Sequence, residues 1–178
     1  SACMTCTRST SVVMVVMGVM VAGRSGPVPL ACWEPAVPVD GWMPLIAVHV
    51  GRNVLLKSNG SHGNPYAHAQ REHALRVLGR VAMRAAIDAH VAAPLADGER
   101  VDLLCLIGLP RRVARFDPPN LYPTVKPLVD GFTDAGCWPD DDSTVIRRTA
   151  FGHDPDPTGR KGLWRFSFHV WPAPDSTR

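Results

Sequence analysis

No stretch of this sequence has the length of a membrane-spanning helix. The longest apolar run, residues 11–22 (SVVMVVMGVMVA), falls short of the ~20 residues that a bilayer core requires. With Arg8 before it and Gly23, Arg24 and Ser25 after it, the run resembles a weak secretory signal. The rest of the chain is patterned like an intracellular protein, and residues 1–41 are read as an extension outside the folded domain, able to add one edge strand. Charge of one sign is also scarce. A formal net charge of +3 excludes a uniformly basic coat and leaves any polyanion contact to local clusters. The five cysteines, Cys3, Cys6, Cys32, Cys105 and Cys137, are odd in number and irregular in spacing. That argues against a disulfide framework and for a reducing cytoplasm. Cys3 and Cys6 form a C-x-x-C, but no second pair or nearby histidine completes a zinc site. No glycine-rich phosphate loop precedes a helical pattern, and no serine stands in a G-x-S-x-G context. His62, His68, His73, His90, His153 and His169 show no metal-ligand spacing. Internal repeats are absent.

What is present suits one soluble globular domain. The 178 residues are 46% hydrophobic and 20% charged, enough for a real core. Prolines (17) and glycines (15) break the pattern often. Residues 23–41, with four prolines, read as a linker. Residues 42–50 (WMPLIAVHV) predict a strand, and 58–66 (SNGSHGNPY) a polar loop beside Lys57. The longest helical pattern covers 67–91, with Leu75, Leu78, Ala82, Ala85 and Ala89 on one face. Arg76, Arg80 and Arg84 recur every four residues as a basic stripe, either a solvated face or a DNA contact. Residues 100–109 (RVDLLCLIGL) predict a central strand with Cys105 in the core. A helix follows over 121–135, in which Pro127 is expected to make a kink or a split. Residues 143–151 and 163–171 are β-rich, and the Gly/Asp/Pro-rich segment 152–162 fits a hairpin connection. Residues 173–178 form a tail. The order predicts a small α/β (α+β) fold, a mixed sheet with two main helices.

The chemistry concentrates after the central strand. Arg111, Arg112 and Arg115 run into Asp117, and about twenty residues later the turn Trp138-Pro139-Asp140-Asp141-Asp142 supplies further acids. Asn120 is placed to cap the helix between them. Acids alone suggest a hard cation such as Mg²⁺. Acids beside arginines suggest a metal whose substrate is an anion, of which a phosphodiester is the commonest. Lys126, in the intervening helix, could stabilise charge on a pentacovalent phosphorus. Three aspartates at a turn are also ordinary solvated turn chemistry. Arg147 and Arg148, adjacent on a strand, should point to opposite faces, so that at most one serves DNA.

The ordered set Asp117-x-x-Asn120-Leu121, Lys126-x-x-x-Asp130-Gly131-Phe132 and Asp134-Ala135-Gly136-Cys137-Trp138-Pro139-Asp140-Asp141 resembles the RusA family of Holliday junction resolvases. The likeness is close over residues 111–145 and extends to 42–110 only in layout. It implies a Mg²⁺-dependent endodeoxyribonuclease, with Mn²⁺ as a substitute, that acts as a homodimer on branched DNA. By the same resemblance Asp117, Lys126 and Asp141 are the catalytic residues, and Asp117, Asp140 and Asp141 hold the metal. Lys57, Arg76, Arg80, Arg111, Arg112, Arg115 and Arg147 are the residues read as facing DNA. Two departures stand out. Pro119 occupies the position of an expected acid and offers no ligand atom, and three residues are inserted between Asn120 and Lys126. The metal site would then be rebuilt with Asp140, Asp142 or Asp130, or the protein would bind junctions without cutting them. A small-molecule enzyme using the aspartate run is the third reading.

Overall fold

A computed structural model of the chain describes residues 15–16, 32–59, 64–111 and 115–173. Cys3, Cys6, His62, Arg112, most of the apolar run 11–22 and the tail beyond residue 173 lie outside them. Six strands form one sheet: β1 (Val15–Val16), β2 (Cys32–Glu34), β3 (Met43–Gly51), β4 (Val101–Gly108), β5 (Ile146–Asp154) and β6 (Leu163–Pro172). Two helices, α1 (Pro65–Asp88) and α2 (Tyr122–Asp134), complete a small α+β fold, with a 3₁₀ turn over Pro118–Leu121 leading into α2. The spatial order is β1-β2-β3-β6-β4-β5. Only β4 and β5 run parallel, joined by α2. Among the described residues no helix is long and apolar enough to cross a membrane.

Strand alternation explains the layers. Across the sheet Ile46, Phe168, Cys105 and Phe151 lie in one row, and Val48, Phe166 and Ile107 in the next. This face meets the helices: Phe132 of α2 packs edge-on against Phe168, ring centroids 4.8 Å apart. Leu75, Leu78 and Met83 of α1 and Val125, Leu128 and Val129 of α2 complete the core. Cys105 and Cys137 are free and buried. Burial raises both thiols, Cys137 to about 12, so neither ionises at neutral pH.

Three sequence expectations change here. Segment 152–162 is not a hairpin connection, because β4 lies between β5 and β6. The segment instead passes over the end of β4, where the Thr158 amide donates to the Leu109 carbonyl at 2.8 Å. Pro127 does not split α2, which runs unbroken from Tyr122 to Asp134. A proline in the second turn removes a single i→i−4 bond, and here its ring is buried. The ordered sheet also begins before residue 42: β2 pairs with β3 and buries Trp33, and β1 pairs with β2 on its outer side, so two strands come from residues 1–41 where one edge strand was allowed.

The helices cross with almost nothing between them. A β-carbon on Gly79 would lie 2.3 Å from the Leu128 carbonyl oxygen, and one on Gly131 would lie 2.2 Å from the Arg76 carbonyl oxygen. Both obstacles are backbone and cannot rotate away. Gly131→Ala should therefore force the helices apart and cost about 2–3 kcal/mol of stability. Urea unfolding measures this, and an unchanged midpoint would mean that the crossing is not as close as described.

Candidate functional site

The helix crossing sets the polar surface. Lys126, Asp130 and Asp134 follow one another at four-residue spacing along α2 and so share one face, while Val125, Leu128, Val129 and Phe132 fill the core. Across the crossing, Arg76 of α1 holds Asp134 with two hydrogen bonds, Nε to Oδ2 at 2.6 Å and Nη2 to Oδ1 at 2.7 Å. Arg80 lies near enough to lower the Asp134 pKa further, behind the larger effect of Arg76. Two turns back along α2, the Lys126 ammonium donates to both Asp130 and Asp141.

This three-residue cluster is half-sheltered, with side-chain exposures of 44% for Lys126, 25% for Asp130 and 19% for Asp141. Two carboxylates that share one cation repel each other, so the pair needs that cation or a proton. It has the cation. Burial works against the Lys126 ammonium, but the hydrogen bonds to the two acids outweigh it and raise its pKa. The carboxyls diverge. Burial, assisted by the neighbouring Asp141, raises Asp130. Asp141 is lowered, because bonding to Lys126 and Asp130 exceeds its own burial penalty.

The other residues named from sequence fall elsewhere. Asp140 accepts from the Asp141 amide at 2.7 Å, and Asp142 from the Thr144 amide at 2.7 Å, so both shape the turn. Asp117 stands exposed before the 3₁₀ turn, its carboxylate accepting from the Asn120 side chain at 2.9 Å. Asn120 therefore serves Asp117 and does not cap α2, whose first turn has no side-chain cap. Lys57 sits over the Trp164 ring at 5.5 Å. Arg111 and Arg115 line a cavity at the end of β4.

Arg147 and Arg148 do not diverge as strand neighbours should. The register steps from Val101↔Ile146 to Asp102↔Arg148, leaving Arg147 as an extra residue. Such a bulge re-aims its side chain, and both guanidiniums reach Asp102, each at 2.6 Å. Their hydrogen bonds hold the buried Asp102 carboxyl far below the ordinary aspartate range. Asp102 escaped notice in the sequence although the signal was there. An acid inside the apolar run RVDLLCLIGL has to find a cation when buried.

The donor chemistry of the cluster suits the Mg²⁺ that the resemblance implies: oxygen ligands, of which one or two carboxylates suffice. Asp130 and Asp141 are such a pair, with Lys126 now neutralising them. Asp117, Asp140 and Asp141 do not form a set, and among the described residues no three His, Cys, Asp or Glu side chains group as metal ligands. Comparison of the chain with protein-family models, curated proteins and solved structures finds no match.

Removing the lysine tests this electrostatic account. In Lys126→Met the carboxyls lose their cation, so the Asp130 titration should move upward by about one pH unit or more. Carboxyl ¹³C NMR reads this directly, and an unmoved titration would show that Lys126 does not neutralise the pair.

Proposed function

We propose that this protein is a Mg²⁺-dependent endodeoxyribonuclease of the RusA type, hydrolysing phosphodiesters in four-way or otherwise branched DNA. The observation that supports it is the meeting of Lys126 with Asp141. These residues come from a helix and a separate turn, and the resemblance gives both a catalytic role. Arg76 and Arg80 lie beside them at the α1–α2 crossing, where a phosphate backbone would need cations. In this reading Asp141, kept ionised, is the principal metal ligand, with Asp130 beside it and Asp117 and Asp140 as the other acids the resemblance names. When bound, Mg²⁺ polarises a phosphate oxygen and lowers the pKa of a coordinated water. Asp130 acts as the tether of Lys126. The ammonium, held at a fixed place, neutralises charge that develops on the phosphoryl oxygens as the P–O bond breaks. A homodimer suits the substrate, since two sites about a two-fold axis match a junction of two-fold symmetry. The cytoplasm is the compartment proposed, in keeping with the free buried thiols.

One set of observations favours a second reading, junction binding without cleavage. Pro119 offers no ligand, Asp117 is taken by Asn120, and Lys126 already sits on both cluster acids. A synthetic four-way junction separates the readings. With Mg²⁺ the wild type should nick it, and Asp141→Asn should be slower by about a hundredfold or more. Equal cleavage by both proteins would remove Asp141 from the chemistry. Structure-selective gel shifts with no nicking in Mg²⁺ or Mn²⁺ would establish the binding-only reading.

A further inference from the structure

At the end of the sheet where β3 and β4 finish and β6 begins, described residues after β3, after β4 and before β6 line a cavity of about 780 Å³. Its wall carries Arg52, Lys57, Arg111, Arg115 and Lys161, with the half-buried Trp164 ring among them and no acid. The contrast with other cations of the protein is informative. Arg76, Arg84, Arg147, Arg148 and Arg165 are all in ion pairs. Among the described residues none of the five cavity cations has an acidic partner. The Lys57 ammonium lies over the Trp164 ring, 5.5 Å from its centroid, so the ring already receives a cation there and a base stacked on that face would take the ammonium's place. Five cations without an acidic partner among the described residues favour an anion in the concavity, and the half-buried indole adds affinity for a flat ring. The volume lies within the ~300–1,000 Å³ of ordinary ligand clefts, a size that suits one nucleotide.

We propose that this cavity receives a single unpaired nucleotide of the DNA substrate, its phosphate among the cations and its base on Trp164. The inference rests on the DNA reading above and deepens it. Phe116, which packs against Trp164 with centroids 5.8 Å apart, directly precedes Asp117, so a nucleotide held here lies beside the first of the acids that the resemblance names. Arg52, Lys161 and Trp164 become binding residues that neither spacing nor resemblance indicated.

Isothermal titration of the full chain with dAMP, deoxyadenosine and inorganic phosphate tests this. The nucleotide should bind at least about fivefold more tightly than phosphate, the margin that base stacking supplies. Trp164→Leu should reduce dAMP to the affinity of phosphate and leave phosphate itself unchanged. Trp164→Phe, which keeps a ring, should retain most of the preference and guards against loss of folding. Arg52→Ala combined with Lys161→Ala should weaken both dAMP and phosphate by about tenfold. If dAMP bound no more tightly than phosphate, or kept its affinity in Trp164→Leu, the recess would be a plain anion site and the inference would fall. Nucleotide binding without junction cleavage would leave this inference standing and overturn the nuclease reading alone. Cleavage without nucleotide binding would do the reverse.

Discussion

Two glycines at a helix crossing govern the polar surface of this protein. Without side chains at Gly79 and Gly131, α1 and α2 approach to backbone contact, and the residues one turn away are carried into range of each other. Arg76 reaches Asp134 because its own carbonyl lies against Gly131. Lys126 and Asp130 then sit on the adjoining turns of α2, and the chain needs only one more segment, the acidic turn, to close the cluster. In the core beneath, Phe132 of the same helix packs edge-on against Phe168 of the sheet.

The distribution of charge carries the functional argument. A net charge of +3 conceals two populations of cations. One is spent internally: Arg147 and Arg148 neutralise the buried Asp102, and Arg165 binds Asp154 while also donating to the Asp156 carbonyl. These pairs pin the parallel strand β5 and the segment that leaves it. The other population lines the cavity at the end of β4, with no acidic partner among the described residues. Lys126 stands apart from both, bonded to the acids Asp130 and Asp141, which are themselves suited to a metal ion.

Much of this was legible in the sequence, and the limits have physical reasons. The apolar periods of 2 and 3.6 residues located β3, β4, β6 and both helices, because burial imposes those periods locally. The i,i+4 spacing of Lys126 and Asp130 is likewise local and visible. That Asp141 joins them depends on how the turn after Gly136 folds back along α2, a tertiary matter that spacing along the chain allows but does not fix. Strand order was not legible, since a turn-rich segment such as 152–162 serves a hairpin or a passage over β4 equally well. The paired arginines were misread because a single extra residue at Arg147 alters the facing of its neighbours. The basic cavity was hidden for a different reason. Arg52, Lys161 and Trp164 come from separate loops and a strand, and no pattern along the chain joins them.

The position of β6 has a consequence for how the chain acquires its structure. It is the latest of the described strands in sequence, yet it lies between β3 and β4, pairing Met43 with Val170 and Val101 with Pro172. Until it arrives, the strands on either side have no backbone partner toward the middle of the sheet. Contacts that distant in sequence are the slow ones to form. The helical pair and the β4–α2–β5 unit can gather early, while assembly of the whole waits for the final strand to slot into the centre, like a keystone set after both sides of an arch.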